Sequence, residues 1–190
     1  MRMSRLSRLI QLPDMLSARC CASTKNIPEI GIAVVGGIHQ IAGIDMMSKY
    51  AEVLVEDPRD RSGWRWIKLN PMSQVRISLG MAYFKGCLVV AGGRKELSVE
   101  YLPLTSIEQT NAQWTRLNGI NDPDFSRLSL VSFDSRLILL LSNESEGRAY
   151  EFLPAEGIQS LDKFEWKPIF RLDGFASPVL LMTREKVEER

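Results

Sequence analysis

The stretch Gly86–Pro103, "GCLVVAGGRKELSVEYLP", decides the fold. An apolar run ends in two glycines, a polar turn follows, and an alternating run stops at proline. Runs this short, rich in Val and Leu and bounded by Gly and Pro, read as strands. Glycine takes positive φ freely and has no Cβ, so the pair predicts a sharp turn in a crowded place.

The arrangement recurs. "GIAVVGG" (Gly31–Gly37), "CLVVAGG" (Cys87–Gly93) and "LILLLSN" (Leu137–Asn143) are apolar runs that end in a small or polar pair, 56 and 50 positions apart. "VEDP", "EYLP" and "EFLP" are strands that stop at Pro58, Pro103 and Pro154, with steps of 45 and 51. "WIKLN", "WTRLN" and "WKPIF" open at Trp66, Trp114 and Trp166, with steps of 48 and 52. Three landmarks in one order with a common period mark a repeat architecture. One more run precedes each later apolar run, "ISLGMAYF" (Ile77–Phe84) and "LSLVSFD" (Leu128–Asp134), joined through Lys85-Gly86 and Asp134-Ser135 as in hairpins. Each period therefore holds four short strands, the content of one propeller blade. The tryptophans are expected to fill the wedge between blades.

These residues resemble the kelch repeat. Gly36-Gly37 and Gly92-Gly93 match its glycine pair, Tyr101 and Phe152 its aromatic, Trp66, Trp114 and Trp166 its tryptophan, and Arg76 and Arg127 its arginine. In the last repeat Ser142-Asn143 replaces the glycines. The resemblance implies an all-β chain, a partial kelch β-propeller of about three four-stranded antiparallel blades over residues 28–183, with a charged tail at 184–190. Kelch propellers commonly close with six blades, so the chain is expected to be a fragment of a longer protein, beginning at the second strand of a blade and ending near a lone first strand, "ASPVLLM" (Ala176–Met182).

Residues 1–27 read differently. Arg2, Arg5, Arg8, Arg19 and Lys25 stand against Asp14, and Met3, Leu6, Leu9 and Ile10 fall at helical spacing up to Pro13. The expectation is a short helical segment, a linker or the remnant of the helical domain that precedes the propeller in many kelch proteins. A mitochondrial transit peptide is the alternative.

The 190 residues carry a net charge of +1, which gives no reason to expect nucleic acid or an anionic membrane as partner. Cys20, Cys21 and Cys87 do not make a disulfide framework and read as reduced thiols in a cytoplasmic protein. His39 is the only histidine, so neither a metal site nor a Ser–His–acid set is expected, and no cofactor is assigned. A propeller oxidase of the copper kind would need more histidine than this. The reading is a non-enzymatic protein-interaction module. The resemblance implies the substrate-recognition part of a ubiquitin ligase adaptor, with cullin as partner only if a BTB domain exists elsewhere. An actin-associated kelch protein is the alternative. The candidate partner-binding loop follows the first glycine pair, and Ile38, Ile41, Ile44, Met46 and Met47 make it unusually apolar.

Overall fold

The computed structural model describes residues 11–60, 62–93, 97–106, 111–120, 125–154 and 161–173. Those residues are all-β, arranged as three four-stranded antiparallel sheets and one two-stranded hairpin. The expected helix at Met3–Ile10 and the strand at 176–182 lie outside them, as does the 184–190 tail. From Gln11 onward the amino-terminal segment contains no helix.

The first sheet is built from β1 (Ser23–Ile27), β2 (Gly31–Val35), β5 (Ala51–Glu56) and β6 (Trp64–Leu69), in that spatial order. β3 (Ile38–Ile41) and β4 (Ile44–Met47) form the hairpin between β2 and β5. The second sheet holds β7 (Gly80–Phe84), β8 (Cys87–Ala91), β9 (Val99–Pro103) and β10 (Thr115–Leu117). The third holds β11 (Arg127–Phe133), β12 (Arg136–Ser142), β13 (Glu146–Pro154) and β14 (Phe164–Asp173). Within each sheet the strands are neighbours in chain order. β1 lies in the segment read as remnant or linker, and it completes the first sheet, which was expected to start at its second strand.

The turns follow from local chemistry. Lys85-Gly86 (φ 48° and 75°) and Asp134-Ser135 (φ 48° and 61°) are both left-handed, the conformation that matches the twist of a two-residue hairpin.

Sheet faces alternate with period two, and each inner face finds a partner. Ala33, Val35, Ala51 and Val53 of the first sheet meet Leu88, Val90 and Leu102 of the second in one buried cluster. The opposite face of the second sheet, with Val89, Ala91 and Val99, meets Leu137, Leu139, Leu141, Phe152 and Phe164 of the third. The second sheet is therefore covered on both faces. The first strands lie side by side, β7 touching β1 on one flank and β11 on the other.

Candidate functional site

Two arrangements dominate the molecule: a buried frame that repeats between sheets, and a hairpin that stands out from it.

The frame centres on arginine. Arg76, 1% exposed, meets the fully buried Glu100 of β9 at 2.6 Å and also donates to the carbonyls of Ser98, at 3.0 Å, and Gly92. The other oxygen of Glu100 accepts the Ser73 amide at 2.9 Å, and the Trp114 indole donates to the Asn70 carbonyl at 2.7 Å. The amino-terminal segment builds the same set against the first sheet. Arg19 pairs with buried Glu52 of β5 and donates to the Tyr50 carbonyl at 2.9 Å. The Leu16 amide donates to Glu52 at 2.9 Å, and the Trp66 indole donates to the Pro13 carbonyl at 2.9 Å. The segment members of the two sets are 57 residues apart, 13 to 70, 16 to 73 and 19 to 76, and their strand partners 48 apart, Glu52 to Glu100 and Trp66 to Trp114. Burial lowers the pKa of Arg19, and the buried carboxylate beside it compensates the charge.

The glycine pairs serve this frame. Gly36 and Gly37 have φ of 69° and 96°, and Gly92 and Gly93 of 82° and 149°. A Cβ on Gly36 would stand 2.5 Å from the Arg76 carbonyl oxygen, so close approach as well as φ requires glycine there. The Gly37 amide donates to that same carbonyl at 2.8 Å, tying the first sheet to the segment that leads into the second.

The third sheet departs from the pattern. Leu139 lies opposite Tyr150 in β12–β13 as Val90 lies opposite Glu100 in β8–β9, and both leucine and valine face the preceding sheet. Tyr150 thus takes the place of Glu100. Counted back from the strands in the same way, Phe125 takes the place of Arg76, and both aromatics pack into the cluster between the second and third sheets. Arg127 opens β11 and is exposed. Tyr101 and Phe152, aligned by their shared proline, meet that cluster from opposite sheets, because the third sheet's register is one residue out. The buried Trp166 indole nitrogen has no acceptor among the described residues.

The hairpin is a two-stranded ribbon closed by Ala42-Gly43, φ 52° and 79°. Ile38 pairs with Met47, His39 with Met46, Gln40 with Asp45 and Ile41 with Ile44. Directly opposed residues share a face. One face therefore carries Ile41, Ile44, Met46 and His39; the other carries Ile38 and Met47 near the root and a Gln40–Asp45 hydrogen bond of 2.9 Å. Ile41 is 57% exposed, Ile44 65% and Met46 47%, while Ile38 and Met47 are half-buried. The ribbon is anchored at its root, where the Cys20 and Ile38 backbones exchange hydrogen bonds of 2.9 and 2.8 Å. Of the five residues expected in the loop, the structure brings Ile41, Ile44 and Met46 together on one open face and turns Ile38 and Met47 away from it.

Among the described residues no group of three His, Cys, Asp or Glu side chains is placed to hold a metal ion. Comparison with family models and with curated proteins finds no match for this chain.

Proposed function

We propose that this chain is part of a kelch-like propeller and acts as a protein-binding module, the substrate-recognition part of a ubiquitin ligase adaptor. Three sheets with strands in chain order, stacked face to face with their first strands adjacent, support the propeller reading. The observation that carries the function is the open face of the β3–β4 hairpin. Three large apolar side chains on a ribbon with few anchoring contacts gain little for the fold by being there. Burying each against a partner would contribute on the order of 1.5–3 kcal/mol. Met46, unbranched and polarisable, adapts to an irregular surface.

The test is a photo-crosslinking residue at His39, on the apolar face, in cells that express the chain. Expected is a discrete set of crosslinked proteins that disappears when Ile41→Asp and Ile44→Asp are introduced together. An unchanged set would overturn the assignment of the hairpin. Cosedimentation with filamentous actin separates an actin-binding role from capture of another protein.

A further inference from the structure

Cys20 and Cys21 are adjacent and both exposed, whereas Cys87 is buried. In an extended chain, neighbouring side chains point to opposite faces. Cys21 has φ 54°, and this left-handed turn breaks the alternation. The same turn occurs at Ser78, 57 residues on and in register with Cys21, so the repeat frame imposes it rather than the cysteines. The neighbouring Cys21 thiol, with desolvation and the Cys21 and Asp45 charges, holds the Cys20 thiol above its ordinary pKa. The pair sits at a junction. Cys20 carries both backbone hydrogen bonds that anchor Ile38, and the Cys21 carbonyl accepts the Ser78 amide at 3.3 Å.

We propose that Cys20 and Cys21 are a vicinal dithiol that closes to a disulfide by exchange with a low-molecular-weight disulfide, and that closure loosens the root of the β3–β4 hairpin. One cysteine sulfur attacks the small disulfide, forms a mixed disulfide and expels one thiolate. The neighbouring sulfur then attacks the protein sulfur of that mixed disulfide and expels the second. The two cysteine protons end on the two released thiols, so the small disulfide is reduced by two electrons and the protein pair is oxidised by two. Adjacent Cα atoms are about 3.8 Å apart across a trans peptide, shorter than the ~4.4–6.8 Å of ordinary disulfides. The ring is therefore strained and readily reduced, as regulatory rather than structural disulfides are. The ring contains the Cys20–Cys21 peptide, so its strain falls on the Cys20 carbonyl that accepts the Ile38 amide.

Trypsin would release both residues in one peptide, Cys20–Lys25. Reduced full-length protein is incubated with oxidised glutathione, alkylated and digested. Expected is an unalkylated peptide about 2 Da lighter than its reduced form, restored by a mild dithiol reductant. Cys20→Ser and Cys21→Ser should instead stop at the glutathione adduct, and Cys87→Ser should behave as wild type. Amide exchange at Ile38 should quicken in the oxidised wild type and not in the adducts. A wild-type peptide that keeps a glutathione adduct, or crosslinks two chains, would overturn ring closure. A closed ring with unchanged Ile38 exchange would overturn the coupling. Neither readout uses a binding partner, so either result leaves the hairpin's binding role to its own test.

Discussion

Arg76 and Glu100 show how much one pair can decide. Removing one partner of a buried ion pair strands the other in a low-dielectric interior, at a cost of about 3–5 kcal/mol. Arg76→Leu should lower stability by that amount in urea denaturation. The double change Arg76→Leu with Glu100→Leu should cost less, because no charge is left uncompensated; a double variant worse than the single would refute this account. Glycine provides a second test. At Gly93 a Cβ meets only ordinary contacts, the nearest at 3.5 Å, so Gly93→Ala costs the backbone strain alone, about 1–3 kcal/mol. At Gly36 the carbonyl of Arg76 adds a backbone collision. Gly36→Ala should therefore shift the unfolding midpoint further than Gly93→Ala, and equal shifts would mean that the neighbouring backbone yields freely.

Elements divide into those that carry the repeat and the one that does not. Replacing Gln40–Asp45 by Asn-Gly would join His39 to Met46 through a two-residue turn and keep both Ile38 hydrogen bonds to Cys20. Since the deleted side chains are mostly exposed, stability should change by less than about 1 kcal/mol, a few degrees in Tm for a chain of this size. A larger drop would make the hairpin part of the core. Legibility differed between elements for physical reasons. β2, β8 and β12 announce themselves as apolar runs closed by turn residues. β1, "STKNI", has polar residues at most positions and one buried side chain, Ile27, so its sequence carries little strand signal. The hairpin was read as an apolar loop, because an exposed apolar ribbon has neither the burial nor the alternation that marks a strand. Arg19 was counted as one of several basic residues. Its partner Glu52 lies 33 residues away, and only a comparison of "PDMLSAR" (Pro13–Arg19) with "NPMSQVR" (Asn70–Arg76) would have revealed it. In the last repeat Phe152, matched to Tyr101 by identity, is one residue out of structural register, whereas Trp166 keeps its place, opposite Phe152 as Trp66 is opposite Leu54.

For the whole molecule the amino-terminal segment matters most. Residues 13–19 lie on the outer face of the first sheet, and residues 70–76 on the equivalent face of the second, the one turned toward the first sheet. A chain that begins at Cys20 would lose the guanidinium beside Glu52 and uncover the face holding Val34 and Leu54, 6% and 2% exposed in the intact chain. Its stability should fall by more than about 3 kcal/mol, measured by thermal unfolding against the full chain. An unaltered Tm would show that the segment merely rests on the sheet.

The exchange of an arginine–glutamate pair for Phe125 and Tyr150 also gives the junctions different responses to cold. Apolar association weakens on cooling, because its driving force near room temperature is entropic. A charged pair that already keeps its hydrogen bonds inside the protein depends less on the hydrophobic term than an aromatic one does. Cooling should therefore loosen the seam between the second and third sheets before the seam between the first and second. Native-state amide exchange would reveal it: on cooling, β11 and β12 should lose protection relative to β8 and β9, and a ratio that stays constant with temperature would show that both seams are governed by the same forces.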